Sequence, residues 1–439
     1  MNDAVKAKNL LYLTIALIFF RYCYIFYVGV TGNIFRIIPT IIFCFSFGTA
    51  ILAIIIYDRL SNGLGLRRMM RYIEFFCAYL IILFMLGLWS DHVFRNILDD
   101  LFIYSFILLF MILGQFDAAW DDLERILWIP CLLMTIFCII GLKYEAFSLA
   151  VDYSSEYAKT DGDRWAVMTL GYQNSDSMGL WPIVFALGVL KKRISLSTFI
   201  ALLLFFAFMF LQVWFQKRAP SIRGVVYLLS VLYMVRKMQI GSVWIIAPML
   251  LFVGGIILYE LSNTLNFSLL IERFQSEEDL TKIGGRTAEI EAMLSGYGLL
   301  DWLIGRGLGG YYLIDNWSAG IQKVTNSGIT GRAYMHLGFF LPLLKGGLIF
   351  SFIYYWFSFK LLLPKSRLWW MNRFNLVAVA ILPVYIIFLF AEGPPTMANL
   401  LDGVLFGLLC GRFINLKQPI SFPIRNLKQQ VISPRQVNI

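Results

Sequence analysis

Residues 35–57 read FRIIPTIIFCFSFGTAILAIIIY, and beyond Arg36 the run carries no charged side chain. About 20 consecutive apolar residues let a helix cross the bilayer core, which is about 30 Å thick. This run is long enough, and similar runs recur along the whole chain. The composition agrees. Of 439 residues, 59% are hydrophobic, 17% aromatic and only 15% charged, and the mean hydropathy is +0.73. A soluble domain has about 25% charged residues and about 45–50% apolar ones. The sequence therefore predicts an all-α polytopic membrane protein.

About twelve spans are expected, near 9–30, 35–57, 72–90, 98–114, 126–142, 177–190, 196–215, 221–235, 241–260, 336–359, 374–391 and 397–414. The first is read as a retained span, because Arg21 interrupts it and no small-residue cleavage site follows. Two connections are long, 143–176 and 261–335. These divide the chain into an N-terminal bundle at 1–195 holding spans one to six and the loop 143–176. A second bundle at 196–415 holds spans seven to twelve and the loop 261–335. The tail 416–439 is polar, basic and read as disordered. No internal repeat is evident.

Lys and Arg set the orientation of such a chain, by concentrating in the cytoplasmic connections. With the N-terminus inside, the inner connections hold 21 Lys and Arg and the short outer ones hold 5, namely Arg36, Arg95, Lys217, Arg218 and Arg223. Adding the nine in the two long loops leaves the excess inside. Both termini are expected to be cytoplasmic and both long loops external. The inner connection Gln115 to Arg125 is acidic and runs against the trend, but acidic residues count little.

Cys23, Cys44, Cys77, Cys131, Cys138 and Cys410 all lie in apolar segments without metal-type spacing, so they read as packing residues. With two histidines and no acidic partner motif, no catalytic metal site is expected. The net charge of +10 is ordinary for basic cytoplasmic connections, and no basic–aromatic cluster points to nucleic acid.

Four features can carry chemistry. The first is Gln216-Lys217-Arg218-Ala219-Pro220-Ser221-Ile222-Arg223, on the outer face, where positive charge is disfavoured. Pro220 suits a first helical position, helix starts favour anions, and arginine offers a planar fork for phosphate. Snorkelling to lipid headgroups is the alternative. The second is Gly284-Gly285-Arg286, opening an amphipathic helix with Ile290, Met293 and Leu294 on one face. Arg286 either meets a ligand or pairs with Glu289 or Glu291. The third is Gly305-Arg306-Gly307-Leu308-Gly309-Gly310, which lacks the strand and helix context of a phosphate-binding fingerprint. It reads as a tight connection with Arg306 as a ligand candidate. The fourth is His336, where the outer loop re-enters the membrane and where imidazole can act as a general base.

Four other charged or titratable residues qualify this picture. Lys345 lies about two turns into its span, and Arg21 lies within the first; such charges face a cavity or a partner. Glu392 sits between the last two spans and either pairs with an arginine or caps and balances charge. His92, near Asp91, Asp99 and Asp100, reads as a solvated loop residue. Aromatics such as Tyr297, Trp302, Tyr311 and Tyr334 suit sugar faces or the interfacial belt equally.

In this order, the chain resembles the bacterial O-antigen ligase and O-antigen polymerase superfamily over about 200–360. The elements that carry the resemblance are Arg218, Gly284-Gly285-Arg286, Gly305-Arg306-Gly307-Leu308-Gly309, His336-Leu337-Gly338 and Lys345-Gly346-Gly347. Leu337 stands where that family often has Asn, and Lys217-Arg218 where it often has Ser or Thr before Arg. The resemblance implies a GT-C-like, metal-independent glycosyltransferase without cofactor in the bacterial inner membrane, with a large periplasmic loop. Its donor would be a glycan on undecaprenyl pyrophosphate, its acceptor a second glycan, and a chain-length regulator a possible partner. Arg218, Arg223 and Arg286 would hold the pyrophosphate, supported by Arg306, Lys345 and Glu392, and His336 would handle the acceptor proton. A polymerase of lipid-linked repeat units is the first expectation. A ligase transferring glycan to lipid A-core is the second. A flippase of the same lipid-linked glycan is a rival of another class, which mid-membrane charge or repeated halves would favour.

Overall fold

The computed structural model describes residues 3–27, 33–127, 223–227, 229–230, 233, 289–313, 322–335, 337–363, 365–390 and 400–414. The spans expected at 126–142, 177–190, 196–215 and 241–260, and the loop 143–176, lie outside the described residues or reach them only at Ile126 and Leu127. Within them the chain is overwhelmingly helical. The helices are α1 (Asp3–Tyr27), α2 (Asn33–Leu60), α3 (Leu64–Trp89), α4 (Phe94–Leu113), α5 (Asp117–Ile126), α6 (Leu299–Ile304), α7 (Leu341–Leu361), α8 (Arg367–Trp370), α9 (Arg373–Phe388) and α10 (Leu400–Ile414). A 3-10 turn at Gly338–Phe340 leads into α7. One antiparallel ribbon, β1 (Gln322–Lys323) with β2 (Thr330–Gly331), stands beside them.

Among the described residues, four helical stretches are long and apolar enough to cross a membrane: Ile37–Leu60, Leu64–Trp89, Phe94–Leu113 and Gly338–Trp356. The apolar α9 is shorter. Phe75, Ile81, Ile82 and Met85 of α3 are exposed, as lipid-facing side chains are. Small residues bring backbones together where α4 crosses α10: Gly114 lies against Leu408 and Gly411, and Gly407 against Ile107. Aromatics fill the space around this crossing, with Tyr354 packed on Tyr104 and Phe406.

Arg21, expected inside the first span, is buried; its Nε donates to Pro39 O at 3.2 Å and its guanidinium lies over the Phe43 ring. That answers the need of a mid-span cation for a partner.

The connections sort to two ends of the bundle. At one end, the α3–α4 connection meets residues 308–309 and 324–327. Val93 N donates to Val324 O at 3.0 Å, Ser327 N donates to an Asp91 carboxylate oxygen at 3.0 Å, and His92 bridges to Thr325. At the other end, the acidic connection after α4 meets the starts and ends of α2, α9 and α10. Tyr57 Oη donates to Asp122 at 2.7 Å, Asn372 Nδ2 to Asp117 at 2.9 Å, Arg412 Nη2 to Asp117 at 2.8 Å, and Arg373 pairs with Asp121. The acidity of that connection thus has a local cause: its carboxylates have basic and amide partners on neighbouring helices. Connections separated by one helix fall at opposite ends, as a serpentine of spans requires.

Candidate functional site

The glycine-rich stretch is a tight connection, and its tightness is backbone against backbone. Gly305, Gly307 and Gly309 have φ of +70°, +81° and +75°, a region that side chains rarely occupy. Gly305 lies against the amides of Gly346 and Gly347, and Gly307 against Gly87. α7 is itself interrupted there: Gly347 takes φ +64°, and Leu303 packs on it. The glycine pair 346–347 and the turn 305–310 are therefore two halves of one interlock.

Each amide in the turn has an internal acceptor. Arg306 N donates to Leu344 O (3.1 Å), Gly307 N to Lys345 O (2.8 Å), Leu308 N to Leu83 O (3.0 Å) and Gly310 N to Gly307 O (3.0 Å). Gly309 N donates to Asp100 Oδ2 at 2.7 Å. No amide is left to cradle a phosphate, so the glycines serve packing and not an anion nest.

Lys345 completes the interlock. It is fully buried, and its ammonium donates to Asp100 Oδ2 (2.7 Å), Gly310 O (2.8 Å) and Ala333 O (2.6 Å). An ammonium has three N–H donors, and all three are engaged. Lys345 thus fixes both flanks of the segment 310–333 to α4, a positioning role that leaves it no donor for a ligand. Glu289 and Arg332 form a second buried pair, and Arg332 exchanges backbone hydrogen bonds with Tyr312 at 3.0 and 3.1 Å.

His92 is not a solvated loop residue, as the sequence reading had it. It is buried, its Nδ1 lies 2.9 Å from Leu308 O, and its ring meets Tyr311 edge-on. Burial pushes the imidazole below its ordinary value of 6.5, aided by the nearby Lys345 and Arg306 cations and opposed by the Leu308 carbonyl and Asp100. The neutral ring then donates Nδ1–H to the carbonyl. The correction has a physical reason: the long connection covers this corner of the bundle, and no local pattern around position 92 records that.

Arg306 differs from these residues. It is half-buried, its Nη1 donates to Tyr311 O at 2.7 Å, and its guanidinium lies 4.8 Å from the Tyr297 ring centre. Among the described residues no carboxylate lies within ion-pair distance of it. Tyr297 in turn meets Trp302 edge-on. The result, among the described residues, is a cation with free fork positions, lying over one aromatic face, that of Tyr297.

Of the residues singled out by sequence, Arg306 and Lys345 are brought together in this interlock. Arg223 is buried in a helical segment at 223–227. Arg218, Arg286, His336 and Glu392 lie outside the described residues, although Met335 and Leu337 on either side of His336 are buried. Glu289, weighed as a partner for Arg286, pairs with Arg332. Sequence reasoning passed over Asp100 as a ligand of Lys345. Asp100 stands at the margin of its expected span, 98–114, so nothing local called for a partner inside the bundle. No metal-competent cluster of His, Cys, Asp and Glu occurs among the described residues. No family model, curated protein or solved structure matches the chain.

Proposed function

We propose that this chain is a multi-pass glycosyltransferase of the bacterial inner membrane. It would have about twelve spans, cytoplasmic termini and a large periplasmic loop, and would join undecaprenyl-pyrophosphate-linked repeat units into O-antigen or exopolysaccharide. The observation that carries the reading is the interlock. Two elements of the motif order, Gly305–Gly310 and Lys345–Gly347, meet as one packed unit that presents Arg306 beside the Tyr297 ring. A cation beside aromatic rings suits a sugar bearing an anionic group, through the guanidinium fork and ring stacking.

In this reading Arg218, Arg223 and Arg286 neutralise the pyrophosphate as it leaves, where charge accumulates in the transition state. Arg306 orients the donor or acceptor glycan beside it. His336 removes or orients the acceptor proton. Lys345 holds the loop in register and touches no substrate. The lipid pyrophosphate already activates the sugar, so no nucleotide is required.

The test is a gel of surface and lipid-linked glycans from a deletion strain complemented with wild type or His336→Ala. Core bearing one repeat unit, extended to long chains only by the wild type, is the expected result. Bare core with long polymer retained on the lipid carrier would assign the ligase reaction instead. An unchanged glycan profile, with protein present in the membrane, would sink both.

A further inference from the structure

The connection 261–335 reads in sequence as a soluble loop, yet three helices place part of it at membrane depth. Leu308 N bonds to Leu83 O, six residues before α3 ends at Trp89. Gly309 N bonds to the Asp100 side chain, and position 309 lies against Ile97 N, three residues after α4 begins at Phe94. Arg306 N bonds to Leu344 O, six residues after the apolar stretch Gly338–Trp356 begins. At 1.5 Å per residue, Leu83 lies about 9 Å below the end of α3, and Leu344, three residues past Leu341, about 4.5 Å below the start of α7. α4, at 20 residues, is about as long as the hydrocarbon core is thick. Gly305 packs on the amides of Gly346 and Gly347, at the middle of the 19-residue apolar stretch Gly338–Trp356, so the start of the turn, at the end of α6, lies inside the core.

The backbone of the turn meets the demand of that depth. Non-helical chain is tolerated within a membrane only where its polar groups are satisfied inside the protein, and every amide from Arg306 to Gly310 has an internal acceptor. The helix leading into the turn meets the complementary demand. α6 exposes Leu299 (79%), Leu300 (69%), Leu303 (42%) and Trp302 (38%). Its one acid, Asp301, turns back to accept from Gly298 N at 3.0 Å. The far end of α6 packs on Gly347, and Leu303 is the residue nearest to it. Six residues in water would not leave four large apolar side chains uncovered.

We infer that residues 299–310 form a re-entrant element, and that the exposed face of α6 contacts lipid acyl chains. α6 dips beside α7, the glycine turn reverses the chain among α3, α4 and α7, and Tyr312 beyond it pairs with Arg332 next to β2. The inference rests on depth and exposure and is independent of the transferase reading. It gives the glycines a reason beyond tightness: the positive φ of Gly305, Gly307 and Gly309 lets the chain reverse against neighbouring backbone while keeping its amides paired.

The experiment uses the full chain in lipid nanodiscs. A nitroxide is attached through a ketone-bearing unnatural residue, which leaves the six native cysteines in place. It is introduced separately at Leu299, Leu300 and Lys323, all exposed side chains. Collision with dissolved oxygen reports the acyl region, and collision with a water-soluble nickel chelate reports the aqueous phase. Oxygen is expected to dominate at Leu299 and Leu300, with the order inverted at Lys323 in the ribbon. Nickel dominance at Leu300 would place α6 in water and overturn the inference. Low collision with both would show that protein covers α6, another part of the chain or a second copy, and would overturn it equally. The size-exclusion profile of each labelled protein verifies that the label has not unfolded it.

Discussion

Three donors of the Lys345 ammonium meet three acceptors, whereas four of the five donors of Arg306 meet none among the described residues. The two cations should therefore fail differently. Lys345→Met leaves Asp100, only 18% exposed, without its counter-charge. Breaking one side of a buried pair costs about 3–5 kcal/mol, so the thermal midpoint of the purified protein should fall sharply. Lys345→Met with Asp100→Leu should recover much of the loss. Arg306→Ala removes one hydrogen bond and one ring contact, about 1–2 kcal/mol together. Its glycan transfer should nevertheless fall about tenfold or more, as when a charged hydrogen bond to substrate is lost. Arg306→Lys should restore part of that, having the charge without the fork. A large stability loss with unchanged transfer by folded Arg306→Ala would make Arg306 a second brace. His92 supplies the pH dependence. Its folded pKa lies below the ordinary 6.5, chiefly because it is buried. The folded state thus resists protonation that the unfolded chain accepts. The stabilising contribution is present above 6.5 and is lost as pH falls below it. The melting midpoint should drop on acidification from neutral pH, and His92→Gln, which can still donate to Leu308 O, should flatten that slope. An equal slope in the variant would trace the effect to other groups.

The interlock of the glycine turn with the α7 break predicts a graded series of glycine substitutions. Gly305→Ala and Gly347→Ala each force a side chain into left-handed backbone and against neighbouring backbone atoms. Strain of about 1–3 kcal/mol adds to overpacking of about 1–3 kcal/mol. Gly328→Ala shares the strain, with φ +104°, but has open space around the added methyl. Its midpoint should fall by visibly less than either of the others; equal losses would mean that close packing at 305 and 347 contributes little. This element also marks how far the sequence could be read. Apolar runs located α2, α3, α4 and α7 to within several residues, because lipid imposes length and hydropathy on each span by itself. The glycines of 305–310 announced a tight turn for the same local reason. What the turn packs into was not legible. Asp100 and Lys345 are 245 residues apart, and a pairing at that distance leaves no periodicity behind. Leu299, Leu300 and Leu303 likewise carry no local mark of the packing of Leu303 on Gly347. The short helix α5 had no signal beyond an acidic loop, because its carboxylates answer Arg373 and Arg412 on helices far along the chain.

At the scale of the whole molecule, the two ends of the described bundle differ in charge. Arg59, Arg67, Arg68, Arg71, Lys360, Lys365, Arg367, Arg373 and Arg412 gather toward the end where α2, α7 and α10 finish and α3 and α9 start, while Arg95, Lys323 and Arg332 belong to the other. Basic connections stay cytoplasmic. The acidic connection at the basic end does not offset this: Asp117, Asp121 and Asp122 already have Arg412, Arg373 and Tyr57 as partners. The β-ribbon end should therefore face outward. Two exposed positions report on it, Lys323 in the ribbon and Met371 between α8 and α9. A membrane-impermeant thiol reagent added to spheroplasts should label Lys323→Cys above the wild-type background. Met371→Cys should label only after permeabilisation. The reverse pattern would invert the molecule. It would also remove Arg306 and the interlock from the face where a lipid-linked glycan is proposed to react, so this measurement bears on the function as directly as on the topology. Labelling of both positions in intact spheroplasts would break the serpentine itself, since α7 crosses between the interlock and the α8–α9 corner, and a helix with 19 apolar-window residues from Gly338 to Trp356 leaves no other way to carry the chain from one end to the other.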